Sequence, residues 1–493
     1  MTTTQRKLAA PGGRVETGRV KGTQMRLASS LRSLVLVAGL VPLALAEPPR
    51  PELAPNVRPF VAVDAPAVAL RHARVVDGTG APARRGQTLV IQDGRIAALG
   101  AEGSVPVPAG ALELDLGGQT VITGYVMLHE HLFSPSGDRV YGNFVGTYPR
   151  LYLAGGVTSM RTAGNMNGFG DIAVAREIAA GRAVGPWIDA TAPYVNGPGL
   201  GLPQVTTIET AEAARRHVEY WADHGATSFK AYMHVTREVL AATIAAAHAR
   251  GLRVTAHLCS VTYAEAAELG IDHLEHGFQA STDFVAGKPP DKCVQPPMAE
   301  RAKLLDTAAP AFERLVATLV RRGVALTSTN AIFEVRTAGR PAPRGLELLA
   351  PGLREQFTGR TSEGIDALLP ALMRTELAFF RAGGLLVVGT DPTGAGGLVP
   401  GYSNQRAVEL LVEAGLSPLE AIQVATLNGA RSLGREREVG SLEVGKQADL
   451  IVLRGDPTEQ IEAVRDVRLV FKQGVGYDPQ RLIESVRGVV GIR

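Results

Sequence analysis

A chain of 493 residues, 45% hydrophobic and 20% charged, has the length for a large folded core and is too apolar for general disorder. Its 51 basic and 48 acidic side chains leave a charge of +3, which gives no support to a nucleic-acid partner or an acidic tail. Two cysteines, Cys259 and Cys293, permit one bridge at most and exclude a disulfide scaffold or a zinc ribbon.

Residues 1–24 are polar and basic, and Met25 offers an alternative start. Residues 26–46 carry the three parts of a secretory signal peptide. Arg26 and Arg32 form a basic flank, Leu34 to Ala46 holds no charge, and Ala44-Leu45-Ala46 is a small-residue cleavage site. A membrane-spanning helix needs roughly 18–20 apolar residues, so the run is too short to anchor the chain. The expectation is export to the periplasm or beyond, with segment 1–46 removed and no stable membrane association afterwards.

Residues 67–120 alternate in the manner of strands joined by tight turns. Asp93-Gly94 between two such runs is a hairpin signal. The texture returns at 448–453 and 469–472. These ends, 47–120 and 436–493, are expected to build one small β-sandwich domain.

Between them, residues 121–435 repeat a strand, a loop, a helix and a glycine. Strands are expected at 121–128, 156–162, 186–194, 227–233, 253–258, 271–274, 324–328 and 385–389. Helices stop at glycines such as Gly270 and Gly323, where a C-terminal cap favours positive φ. Thr236 is a candidate N-cap, and Ser417-Pro418-Leu419-Glu420 reads as a capping box with Pro at the first helical position. Eight apolar, non-alternating strands predict a closed parallel (β/α)8 barrel. An open doubly wound sheet is the rival, but no G-x-G-x-x-G follows the first strand. Long Pro-containing insertions at 278–306 and 331–360 follow strands six and seven, where barrel loops shape a substrate site.

The chemistry gathers at the strand ends. His129 and His131 flank Glu130, and residues i and i+2 of an extended chain point the same way. His257 ends the fifth strand, His276 follows the sixth, and Asp391 follows the eighth. Imidazole nitrogen and carboxylate oxygen suit zinc and related divalent ions. Lys230 interrupts the fourth strand, where a buried ammonium is costly. Carbamylated by carbon dioxide, it becomes an anion with two oxygens. Tyr232 lies on the same strand face and offers a hydroxyl to a substrate carboxylate or a developing oxyanion. Cys259, two residues past His257, reads as a small packed thiol. His273 reads as structural, and His217, His224 and His248 as helix-face residues. Gly394, Gly396 and Gly397 would let backbone N–H groups approach a substrate.

With these residues in order, the chain resembles the amidohydrolase superfamily, and within it the imidazolonepropionase-like and prolidase-like branch. That branch includes amidases acting on N-acylated amino acids and on ochratoxin. The resemblance is carried by Gly124-Tyr125-Val126 leading into His129-Glu130-His131, by Lys230, Val254-Thr255-Ala256-His257, Leu274-Glu275-His276-Gly277, Gly389-Thr390-Asp391 and the terminal run from Val439 to Leu450. It implies a binuclear centre with His129 and His131 on one ion, His257 and His276 on the second, N6-carboxylated Lys230 bridging both, and Asp391 as ligand and proton shuttle. It implies that a hydroxide bridging the ions hydrolyses the amide of a dipeptide or N-acyl amino acid, and it implies a homo-oligomer. Thr123, Met127 and Thr162 depart from the family's usual residues, and none is a ligand position. Two alternatives stand beside this one: a single-ion hydrolase of cyclic amides or lactones, and a non-catalytic binding member of the family.

Overall fold

The computed structural model describes residues 50–135, 140–166, 168–357, 361–393 and 397–491. The signal segment read at 26–46 lies outside the described residues, as do Gly394 and Gly396.

Eight short parallel strands surround a common axis. They are β1 (Tyr125–Glu130), β2 (Val157–Thr162), β3 (Trp187–Ala190), β4 (Ser228–Ala231), β5 (Arg253–Ala256), β6 (His273–Glu275), β7 (Ala325–Ser328) and β8 (Leu386–Val388). They pair in two arcs, β3-β2-β1 and β4-β5-β6-β7-β8. The first junction is a parallel bridge from Thr191 to Ser228, with Ala192 N–H donating to Ser228 O at 2.9 Å. At the second, the Thr390 and Asp391 amides donate to His129 O at 3.0 and 2.9 Å. The second junction demands Gly389: a Cβ there would lie 2.4 Å from the His129 nitrogen. The ring therefore closes as a barrel. Every residue of β1, β2 and β4 is buried, so neither face of these strands is left to solvent.

The helices between strands carry the caps that the sequence announces. Thr236 accepts from the Val239 amide at the start of Arg237–Ala249. Ser417 and Glu420 form a reciprocal capping box ahead of Pro418–Gln423. Gly270 and Gly323 end their helices in the left-handed conformation.

The two β-rich ends meet in one nine-stranded sheet. Thr120–Thr123 and Leu450–Leu453 pair antiparallel at its middle, so the two β-rich segments are hydrogen-bonded neighbours. The sheet curls around its own core, in which Val68, Leu70, Leu89, Val121, Val452 and Phe471 are buried. A buried ion pair between Lys472 and Asp449, at 2.9 Å, ties the last hairpin to the strand beside it.

Two expectations change. The run 121–128, read as one strand, is two: Thr120–Thr123 belongs to the nine-stranded sheet and β1 starts at Tyr125. Both halves are apolar and buried, so periodicity does not mark the break. Gly124 makes it, because a Cβ there would lie 2.2 Å from Thr158 Oγ1. The packed thiol expected at Cys259 is instead half of a disulfide to Cys293, 34 residues on. Spacing alone cannot reveal such a pair; only the return of insertion 278–306 to the end of β5 brings the two Cα atoms to 4.7 Å. Among the described residues, no helix is long and apolar enough to cross a membrane.

Candidate active site

The C-terminal ends of the barrel strands open into a cavity of about 180 Å³. It is lined by His129, His131, Lys230, His257, His276 and Asp391, together with Tyr232. All seven residues singled out in the sequence thus face one space. His129 Nε2, His131 Nε2 and the Asp391 carboxylate draw closest: His131 lies 3.3 Å and His129 3.7 Å from Asp391 Oδ1, and one ligand atom of each residue lies within 4.8 Å of the others. Lys230 Nζ is 3.2 Å from His129 Nε2. The His276 ring stands 4.6 Å from that of His129 and 4.4 Å from that of His257.

Local backbone aims these groups. His276 and Asp391 both adopt positive φ, 66° and 52°, which turns each strand end sharply inward. A non-glycine residue in that region costs roughly 1–2 kcal/mol, and such strain collects at functional sites.

Two buried glutamates fix the ligands from behind, Glu275 ionised and Glu130 raised by burial to about 8. Glu275 Oε2 accepts from His129 Nδ1–H at 2.6 Å, leaving the Nε2 lone pair directed at the cavity. Glu275 also accepts from Arg161 at 2.9 Å and from the Thr255 hydroxyl. Burial pushes its carboxyl up, but His129, Arg161 and Lys230 hold it well below the usual range. Glu130 accepts from the Thr390 amide at 3.1 Å, the Thr390 hydroxyl at 2.5 Å and Asn404 at 2.9 Å, which locks the turn carrying Asp391. His131 Nδ1–H donates to Gly164 O at 3.1 Å, and this again fixes the tautomer. Strand alternation explains the arrangement: Glu130 and Glu275 each adjoin a ligand in sequence and point away from it.

The chemistry of this donor set fits divalent ions. Burial holds the imidazoles of His129, His131, His257 and His276 below their ordinary value, to about 4 for His131 and about 3 for His257. They are neutral at pH 7, the form that ligates. Burial raises the Asp391 carboxyl, but the close approach of His131 and the nearby imidazoles outweigh it, so the group stays ionised. His257 Nε2 is buried with no hydrogen-bond partner, a costly state unless a ligand meets it. Burial lowers Lys230 to about 8, which enlarges its neutral fraction.

Tyr232 packs at 4.9 Å from the His257 ring and 4.8 Å from that of Tyr194. Burial raises its phenol above the usual value, so it remains a donor at pH 7. Gln279 and Met298 from one insertion, and Ile332, Phe333 and Arg336 from the other, complete much of the wall. The other histidines lie elsewhere. His273 bonds to Ser432 Oγ at 2.8 Å, His217 to Pro193 O at 3.0 Å, and His248 to Asp272 at 2.9 Å. Sequence reasoning missed Glu275, Arg161, Glu130 and Arg336. For the two glutamates the signal was present, since each sits inside a ligand motif.

The family model of the amidohydrolase family matches residues 121–476, and the chain belongs to that family. It is similar to adenine deaminase 3 of Rhizobium meliloti (strain 1021), 40% identical over 88 residues, covering 18% of this chain and 14% of that one. Imidazolonepropionase of Symbiobacterium thermophilum is 47% identical over 58 residues, 12% of this chain and 14% of the other. The chain thus matches only a small part of the length of these curated relatives. Among solved structures, a candidate prolidase from Bifidobacterium longum superposes with a TM-score of 0.64 at 26% identity, covering 85% of this chain and 98% of the other.

Proposed function

We propose that the protein is a metal-dependent hydrolase cleaving the amide bond of dipeptides or N-acyl amino acids. The observation that carries this reading is the convergence of His129, His131 and Asp391 in a cavity that also holds Lys230, His257 and His276. The likeness to the Bifidobacterium longum protein over nearly its whole length supports the choice of amide substrate.

His129, His131 and Asp391 would hold one ion, and His257 and His276 a second. Lys230, carboxylated on its amine, would bridge the two; burial beside His129 supports that role, because a neutral amine is what adds carbon dioxide. Zinc suits this ligand set. The ions, when bound, supply the Lewis acidity that brings water to ionise near neutrality and polarises the substrate carbonyl. Asp391 accepts the proton of the attacking water and delivers it to the leaving nitrogen, without which an amide nitrogen leaves poorly. Tyr232 donates its hydroxyl hydrogen bond to the substrate.

We further propose an exported protein. The signal pattern at 26–46 and the Cys259–Cys293 disulfide support it, since disulfides persist in oxidising compartments. Self-association is also proposed; the half-exposed aromatic patch of Phe169 and Tyr220 supports it.

The test is turnover of N-acetyl amino acids and dipeptides, read as free amino acid. Stripping with a chelator should abolish turnover and a divalent ion should restore it. Full activity after stripping would overturn the reading. The local similarity to an adenine deaminase favours a second reading, loss of an amine from a ring carbon, which would release ammonia in place of an amino acid.

A further inference from the structure

A second cavity, of about 540 Å³, shares no lining residue with the catalytic one. The helix Phe169–Ala179 and the first residues of β3 form one side of it, and the hairpin of Val467–Lys472 and Val475–Tyr477 forms the other. Ile172, Ala175, Arg176 and Ala179 follow helical spacing, so one face of the helix turns to this space, and its two alanines leave room there. The Ala54 amide donates to Gly181 O at 3.0 Å, which seats segment 50–54 beside the end of that helix and adds Leu53 to the wall. Trp187 also lines the cavity, its ring held under the Arg435 guanidinium at 3.9 Å.

The volume and the mostly apolar wall are those of a small-molecule site, which typically measures about 300–1,000 Å³. Among the described residues lining it, Arg50, Arg176 and Lys472 are cations and none is a carboxylate. Arg50 is spent on Asp64, and Lys472 on Asp449 at 2.9 Å. Arg176 gives one bond, to His224 O at 2.7 Å, and keeps its other N–H groups. Gly225 admits this guanidinium, since a Cβ there would lie 2.4 Å from its terminal nitrogen. Tyr477 is only 6% exposed, and its hydroxyl has no hydrogen-bond partner among the described residues. Arg176 and Tyr477 thus offer donors, and a carboxylate is an acceptor alone.

We propose that this cavity binds an amphipathic carboxylate, with its alkyl or aromatic body against Leu53, Ile178, Trp187 and Val475 and its charged head on Arg176. The planar guanidinium suits that head, and no wall carboxylate repels it. The site is separate from the amidase reading and does not depend on it.

A carboxylate can also meet the catalytic centre, so the readout must be local. The chain has two tryptophans: Trp187 lines this cavity, whereas Trp221 packs on Phe169 at 4.8 Å and does not. In a Trp221→Phe background the indole emission therefore reports this cavity. The experiment titrates the metal-loaded protein with octanoate, octan-1-ol and octylammonium. Octanoate should move the emission saturably and bind about 10-fold more tightly than octan-1-ol, the scale of one charge-assisted hydrogen bond, with octylammonium weakest. Arg176→Gln, at an exposed position, should erase the advantage of the acid and leave the alcohol unchanged. Ala175→Phe, which fills the space, should weaken both. The proposal is overturned if octanoate binds no more tightly than octan-1-ol, if its advantage survives in Arg176→Gln, if Ala175→Phe changes nothing, or if none of the three moves the emission. If Trp221→Phe does not fold, calorimetry with octanoate decides: one binding event present in the wild type and lost in Arg176→Gln supports the site, and identical isotherms overturn it.

Discussion

Asp391 carries two burdens, as a ligand and as the group that moves the proton, and its positive φ shows that the backbone is bent to aim it. Asp391→Asn should lower kcat by about 10²–10⁴-fold, the usual range for loss of a general acid–base group, as read in steady-state kinetics. Glu275 acts through His129 and is a positioning residue. Glu275→Gln should weaken ion binding by about 10–100-fold in a chelator titration, because the imidazole loses the partner that fixes its tautomer. A third prediction concerns Asp171, a buried carboxyl that burial lifts from 3.8 to about 7. Folded chains keep its proton where unfolded chains lose it. Stability from this site is complete below about pH 4 and is lost as pH rises through about 7. Asp171→Asn should flatten the fall in unfolding free energy between pH 4 and 7; an unchanged slope would refute the assignment. The ligands were legible because a barrel puts chemistry at strand ends, and five of these ends carried an imidazole, an amine or a carboxylate. Arg161 and Arg336 were not, since their roles depend on a partner more than a hundred residues away or on which face of an insertion turns inward.

At the scale of elements, the break at Gly124 separates the barrel from the nine-stranded sheet. Gly124→Ala would drive a methyl group to 2.2 Å from Thr158 Oγ1 in a fully packed site. It should cost about 1–3 kcal/mol in denaturant unfolding, as overpacking does. The Cys259–Cys293 bridge binds insertion 278–306 to the end of β5, and Thr282 reinforces it with a hydrogen bond to Cys259 O at 3.0 Å. Cys293→Ser should lower stability by about 2–4 kcal/mol in the same assay. Helix starts, left-handed ends and seven of the eight strand positions were readable from caps, glycines and apolar runs. Strand one was misjudged because two buried strands in series share a single apolar pattern.

The whole molecule couples one sheet and one barrel through the short segment 120–130, which passes from the middle of the first into the first strand of the second. It places six candidate ligands from five strand ends around one small cavity. The most direct measurement is metal content per chain, by elemental mass spectrometry, beside the intact mass under native conditions. Two divalent ions per chain, with a carbon dioxide mass that vanishes in Lys230→Ala, are the predicted result. A chain that binds no divalent ion even after reconstitution would contradict it.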